Sequence, residues 1–287
     1  MDADSGGYFS SSTLFKTSLL TIAFTTFYIY KTEKRSNLLK VPVAKDSTRY
    51  ESARPPVTLA PVVVKKKKTI YLTFDDGPNK GTRKVMDIID AEKIPVTLFL
   101  VGEHVYGSKE QRALYDSIIR NSLFEVANHS YSHAFENKYR QFYNVPDSVV
   151  KDFERCADSL GLTSNIIRTP GRNIWRTSTV TSTDIATTTA AADSLQNKGF
   201  AALGWDLEWH FTNDQKLVQS DTLLLQQIDS LFAKNNTKTP NSLVILAHDR
   251  TFLSPGDSSA LHRLIIALKK RDEFNFETAS RYPGVIN

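Results

Sequence analysis

With 287 residues, of which 40% are hydrophobic, the chain can bury one sizeable core, and barrels of this length commonly form a single domain. Its formal charge of +5 is unevenly placed: residues 31–68 hold eleven Lys or Arg against Glu33, Asp46 and Glu51, residues 1–30 hold Lys16 against Asp2 and Asp4, and 69–287 are left at −2. A globular part without its own positive face argues against nucleic-acid binding, and the single cysteine, Cys156, excludes an intramolecular disulfide.

Residues 1–12 are small and polar with two acids and read as a disordered tail. Thr17–Tyr30 (TSLLTIAFTTFYIY) then runs without a charge, and with Lys16 snorkelling, the apolar segment reaches back to Thr13. A spanning helix takes about 20 residues and a signal-peptide core about 7–15. No A-x-A site follows, so the segment reads as an uncleaved membrane anchor, which places the rest of the chain at the cell envelope. Lys31, Lys34 and Arg35 pull the other way, because positive charges next to such a segment favour the cytoplasmic side. Residues 31–68, with Pro42, Pro55, Pro56 and Pro61 among many charges, read as an extended linker ending in four lysines.

Strand-like and helix-like runs alternate from Thr69 to the end. In Thr69–Lys80 (TIYLTFDDGPNK), Ile70, Leu72 and Phe74 alternate with Tyr71 and Thr73, and Gly77-Pro78 stops the strand just after Asp75 and Asp76. Gly81–Lys93 has Val85, Ile88 and Ile89 at helical spacing, and Pro95–Val101 (PVTLFLV) reads as a strand buried on both faces. Lys109–Asn121 is helical, Phe124–Ala127 a short strand, Val149–Leu160 helical and Ile166–Ile167 a strand. An Ala-rich helix over Asp184–Lys198, a strand over Phe200–Leu203, a helix over Leu217–Phe232, a buried strand over Ser242–Ala247 and a helix over Ser259–Arg271 complete the chain. Such alternation predicts an α/β fold of parallel strands wrapped by helices, doubly wound or closed into a barrel.

Four further motifs stand at the ends of these runs. Asn128–His133 (NHSYSH) carries His129 and His133 four apart, a spacing that lets both imidazoles aim at one point, as a zinc site needs. A carboxylate from another strand end would complete an Asp-His-His set with positions open for water and substrate. Alone, each has a plainer reading: Asp-Asp-Gly-Pro makes a good surface turn, and Arg168–Gly171 (RTPG) makes a turn with an exposed arginine. Trp205–Trp209 (WDLEW) and Ala247-His248-Asp249 are the remaining two.

Together, TFDDGP, HSYSH, an R-x-P segment, an Asp beside a Trp and a final strand ending L-x-H resemble the five ordered motifs of the NodB-homology polysaccharide deacetylases, carbohydrate esterase family 4. The resemblance covers residues 69–287 and implies a distorted (β/α) barrel of about seven parallel strands. It also implies a divalent metal, usually zinc with Co2+, Mn2+ or Ni2+ as alternatives, and hydrolysis of N-acetyl groups on glucosamine-containing polysaccharide. Carried over by position, Asp75 resembles the catalytic base, Asp76, His129 and His133 the metal ligands, and Arg168 the arginine that holds the base. The Gly171 amide stands where an oxyanion donor belongs, and His248 resembles the general acid. An O-acetyl esterase, or a catalytically inert carbohydrate-binding module of the same fold, is the alternative outcome.

Two motifs depart from the family pattern. The family usually spells D-x-x-D-W with the histidine-orienting Asp four residues before Trp; here that position is Trp205, so Asp206 is expected to orient His248, with Glu208 as substitute. The third motif carries Thr169 and Gly171 in place of the commoner Pro and aromatic residue, and Arg172 and Arg176 add charge, which bears on sugar contacts. Trp175, Trp205 and Trp209 lie beside motifs and are candidates for sugar stacking, against the ordinary role of large buried rings. Phe135, Tyr139, Phe142 and Tyr143 form either a cleft wall or a self-packed loop. His104, His210 and His262 are expected to be structural or surface residues.

Overall fold

The computed structural model describes residues 67–285, so the expected tail and membrane-directed segment (1–30) and nearly all of the linker (31–68) lie outside the described residues. Among those described, no helix is long and apolar enough to cross a membrane. In chain order come β1 (Lys68–Gly77), α1 (Thr82–Glu92), β2 (Val96–Leu100), α2 (Gly102–Val105), α3 (Lys109–Ile118) and β3 (Phe124–Asn128). Next are a one-turn element α4 (His133–Asn137), α5 (Tyr139–Tyr143), α6 (Pro146–Leu160), β4 (Ile166–Ile167), β5 (Ile174–Arg176), β6 (Thr181–Thr183) and α7 (Thr189–Asn197). The chain closes with β7 (Ala201–Ala202), β8 (Leu207–Glu208), α8 (Asp221–Ala233), β9 (Ser242–His248), α9 (Pro255–Lys269) and β10 (Phe274–Phe276).

One curled sheet runs β6-β5-β7-β4-β3-β2-β1-β9-β8, with β10 pairing the start of β1. All pairings are parallel except those of β5 with β6 and with β7. This is the expected (β/α) architecture, an α/β half-barrel. The strands missed in the sequence are β5, β6, β8 and β10, which have two or three residues each and so no measurable alternation.

The period-2 pattern of β1 sorts its side chains onto two faces. Ile70, Leu72 and Phe74 join the large outer core with Val85, Ile89, Leu261 and Ile265 of the flanking helices, while Tyr71 joins an inner core with Phe99, Trp175, Val244 and Tyr282. Full burial of each large apolar side chain contributes about 1.5–3 kcal/mol. Thr73 and Asp75 follow Tyr71 on the inner face, so the interior of the curl grades from apolar to polar toward the strand ends.

Helix starts are set by caps rather than by the first apolar residue. Ser220 accepts from the Leu223 amide and Ser254 from the Asp257 amide, so α8 begins at Asp221 rather than 217, and α9 begins at Pro255 rather than 259. The expected helix from Asp184 is shortened to α7, because Ala186–Thr188 forms a 3₁₀ turn ahead of it.

Candidate metal centre and active site

Parallel register decides which residues meet above the sheet. β1 and β9 align Asp75 with His248, and β1 and β2 align Asp75 with Phe99 before a register shift that follows it. Asp76 then adopts φ 70, and its carbonyl is held by His104 Nδ1 at 2.8 Å. The two following glycines allow a close approach: a Cβ on Gly77 would lie 2.7 Å from Asp249 Oδ2, and one on Gly81 would lie 1.9 Å from the Asp249 carbonyl. Asp249 is buried, and the side chains of Asn79 and Thr82 donate to its carboxylate, which fastens the DDGPNKG turn onto the end of β9.

The histidine loop is built from its own polar residues. Asn128 Oδ1 accepts from the Ser130 amide and its Nδ2 donates to the Phe153 carbonyl, while Asp152 Oδ2 accepts from the amides of Tyr131 and Ser132. Ser130 (φ 68) and His133 (φ 46) take the left-handed turns that swing His133 back over His129. His133 opens α4, in which all five residues, through Asn137, have positive φ.

Asp76 Oδ1 lies 3.3 Å from His129 Nε2 and 3.0 Å from His133 Nε2, and the three ligand atoms all fall within 4.8 Å of one another. A tetrahedral zinc with ligand bonds of about 2.0–2.2 Å sets its ligand atoms roughly 3.3 Å apart, so these residues fit such an ion. His129 Nδ1 faces the Arg168 carbonyl at 2.9 Å, the outer-shell contact that leaves Nε2 as the ligand atom. Burial opposes ionisation of Asp76, but hydrogen bonds with His129 and His133 outweigh it and hold the carboxyl well below the usual carboxylate range. Burial likewise opposes charge on His129, and the Asp75 and Asp76 carboxylates overcome it and raise its pKa. A field that draws a proton onto a buried imidazole draws a divalent cation in competition with it.

Asp75 stands next to this cluster, its Oδ2 3.7 Å from His129 Nε2 and its Oδ1 2.8 Å from Arg168 Nη1. Arg168 is fully buried over the Phe99 ring, and donates also to Thr73 Oγ1 at 2.6 Å and to the carbonyls of Leu203 and Gly204 at 3.0 Å each. The plainer reading of Arg168 as an exposed turn residue therefore fails, because four acceptors, two on β1 and two in the segment just after β7, fix its guanidinium. A cavity of about 280 Å³ takes in both aspartates and both histidines. Thr169, Gly171, Trp205, Glu208, His248 and Arg250 complete much of its wall. Gly171 sits at φ 62 with a would-be Cβ 2.8 Å from the Tyr139 ring, so a side chain there would be strained and would clash.

Residues 63–202 match the family described as Polysaccharide deacetylase. A Bacillus subtilis (strain 168) protein, YheN, is 27% identical over 214 residues, which cover 71% of this chain and 64% of the relative. A solved Streptococcus mutans CE4 esterase matches the fold with TM-score 0.57 at 20% identity, covering 74% of this chain and 86% of that one. Residues 63–202 therefore match a polysaccharide deacetylase domain of the NodB-homology kind. The Peptidoglycan-N-acetylglucosamine deacetylase of Bacillus cereus is 26% identical over 223 residues, covering 74% of this chain and 70% of the relative.

Within this deacetylase fold, several sequence expectations need correction. Asp206 does not reach His248: its carboxylate accepts from the backbone amides of Lys238 at 2.7 Å and Val244 at 2.8 Å. Because β8 pairs Leu207 with Ile245 in parallel, residue 206 is level with 244. That is four residues short of His248, or about 13 Å along a strand. Glu208, level with Leu246, does line the cavity, but its ion-pair partner is His210 Nδ1 at 3.4 Å. His248 Nδ1 is buried with no partner among the described residues; its Nε2 lies 3.8 Å from Asp76 Oδ2, and Phe211 packs edge-on against the ring at 4.8 Å. Burial lowers the His248 pKa despite the nearby Asp76 and Asp75 charges, opposite to the expected effect of an orienting carboxylate.

Trp175 and Trp209 are 0% and 1% exposed, packed on Tyr282 and Phe252 respectively, and cannot stack on a sugar; only Trp205 of the three lines the cavity. Arg176 is likewise buried, on Asp193. The aromatic segment after the histidines divides: Phe142 and Tyr143 enter the core, and Tyr139 forms cavity wall. His262 pairs with Glu92 at the surface, as expected of a residue outside the site. Sequence reasoning missed Arg250, whose Nη2 lies 2.6 Å from Asp76 Oδ2, whereas His104, on the Asp76 carbonyl, has the structural role expected of it. The Arg250 signal was its place two residues after the histidine of a strand-end motif.

Proposed function

We propose that this chain is a metal-dependent hydrolase that removes N-acetyl groups from polysaccharide containing N-acetylglucosamine. The observation that carries the reading is the meeting of Asp76, His129 and His133 with an arginine-held Asp75 in one cavity above the strand ends. The name of the Bacillus cereus relative supports an amino-sugar glycan as substrate. Asp76, His129 and His133 would hold the ion, zinc being favoured by three N and O ligands at near-tetrahedral separations. A divalent ion held there supplies Lewis acidity to an acetyl carbonyl and acidity to an adjacent water.

The remaining steps belong to the protein. Arg168 fixes Asp75 Oδ1, which leaves Oδ2 on the cluster side to take the proton of the attacking water. The Gly171 amide, at the cavity wall, is assigned to the oxyanion. An amine is a poor leaving group, and His248, on the opposite side of Asp76, is assigned to protonate it. Because burial lowers the His248 pKa, the ring does not carry that proton in at pH 7 but passes to the amine the proton that Asp75 has taken from the water.

Acetate release in the presence of added Zn2+ from chitin oligomers, peptidoglycan and acetylated xylan tests the proposal. Release from the first two supports it, release from xylan alone identifies an O-acetyl esterase, and sugar binding without acetate identifies an inert module. We further propose that the charge-free run at 17–30 tethers the domain to a membrane at the cell envelope; recovery of the full chain in the soluble fraction of its host would refute this.

A further inference from the structure

The two carboxylate oxygens of Asp76 divide their partners. Oδ1 faces the imidazoles, 3.3 Å from His129 Nε2 and 3.0 Å from His133 Nε2, whereas Oδ2 accepts from Arg250 Nη2 at 2.6 Å. His248 Nε2 stands off from Oδ2 at 3.8 Å, beyond hydrogen-bond reach. A hydrogen bond between guanidinium and carboxylate is among the stronger ones in proteins, and Asp76 is buried, so little water competes for Oδ2.

Both ends of this contact are fixed. Asp76 sits at φ 70 with its carbonyl held by His104 Nδ1 at 2.8 Å, so its carboxylate can turn only about its own side-chain bonds. Arg250 lies in the 3₁₀ turn Asp249–Leu253 that follows β9, and its Cα would be 2.9 Å from a Cβ on Gly81, so its backbone is pressed against the DDGPNKG turn. Its guanidinium is steadied by the Phe211 ring at 5.1 Å, although 40% of the side chain is exposed.

The consequence concerns how many ligand atoms Asp76 can offer. A carboxylate free to turn can give both oxygens to one ion, which raises the coordination number and suits larger, oxygen-seeking cations. With Oδ2 held by a guanidinium it gives one, and two imidazoles with one oxygen make the three-ligand set of a four-coordinate ion with a place left open. We propose that Arg250 is a positioning residue that keeps Asp76 a single-oxygen ligand and thereby selects zinc over larger divalent ions. This rests on the metal-centre reading above and adds to it the group that decides which ion the centre takes. Charge alone would not discriminate, because repulsion from the guanidinium acts on every divalent ion alike and cancels in the ratio of two affinities.

The test is the ratio of zinc to manganese affinity, measured by chelator-buffered titration of the ion-free full chain. Arg250→Met removes the donor and frees Oδ2, and should lower the ratio about tenfold or more, through weaker zinc binding without weaker manganese binding. Arg250→Lys keeps one charged donor for Oδ2 and should keep the ratio. A misfolded fraction shows as a stoichiometry below that of the unaltered chain, not as a changed ratio, and the same titration reports both. Cobalt loaded in place of zinc gives a second readout: the intense visible absorption of a four-coordinate ion in the unaltered chain and in Arg250→Lys, weakened in Arg250→Met as Oδ2 joins the ion. At full stoichiometry, a ratio and spectrum unmoved by Arg250→Met, or a loss shared equally by both variants, overturn the role. An unaltered chain that binds neither ion removes the metal centre and this role together, whereas zinc binding with an unmoved ratio in Arg250→Met removes the role alone.

Discussion

Asp249 gives the fold a pH dependence that a single substitution removes. It is buried at the end of β9, and burial pushes its carboxyl up to about 7 against the lowering effect of the Thr82 and Asn79 side chains. In the unfolded chain an aspartate titrates near 3.9. Between those values the folded state keeps a proton that the unfolded state has released, so this contribution is complete below about pH 4 and disappears as pH rises through about 7. Going from pH 5 to pH 8 it amounts to about 2.5 kcal/mol. Asp249→Asn keeps the shape and an acceptor oxygen for Thr82 but cannot titrate. Denaturant unfolding of both proteins at pH 5 and pH 8, with a chelator present so that metal binding adds nothing, should show the unaltered protein losing about 2.5 kcal/mol more than the variant. Parallel losses would refute the reasoning, since Asp249 would then be ionised in the fold at both pH values.

Asp76→Asn and His133→Ala should each lower zinc affinity at least about tenfold, whereas Asp75→Asn should retain zinc and lower acetate release about 10²–10⁴-fold. Metal analysis beside the assay checks this, and zinc lost from Asp75→Asn but kept by Asp76→Asn would reverse the two roles. Trp175→Ala should cost about 3–5 kcal/mol in denaturant unfolding because the ring is wholly buried, while Trp205→Ala should chiefly raise KM. A Trp205→Ala protein with unchanged KM would show that the cavity wall there does not touch substrate.

What could be read from the sequence was what neighbouring residues decide among themselves. Alternation through Phe74 and the Gly77-Pro78 stop placed Asp75 and Asp76 at a strand end, and the His129–His133 spacing implied a shared target. Asp206 shows the limit: its position beside Trp205 says nothing about its level against β9, and that register, set by pairing two distant strands, decides that it meets Val244 and Lys238 instead of His248. Arg250 was hidden for the same reason, since only the alignment of Asp75 with His248 brings a residue two positions further on against Asp76. Trp175 and Trp209 lie near motifs in sequence, but the pairing of distant segments packs them into the two cores.

The mirror-handed turn of α4 has a bearing on the order in which the centre is assembled. Five consecutive L-residues, His133 to Asn137, lie in the left-handed region, each at a cost of about 1–2 kcal/mol against a right-handed helix. Left alone, the segment would unwind and carry His133 away from His129. What restrains it comes from further along the chain: Asp152 of α6 gripping the Tyr131 and Ser132 amides, and Phe142 of α5 receiving the edge of Phe135. The second imidazole therefore reaches its station only after α5 and α6 have docked. Asp152→Asn, which removes no ligand atom, would loosen that anchorage and slow zinc uptake during refolding while leaving the ligand set itself intact.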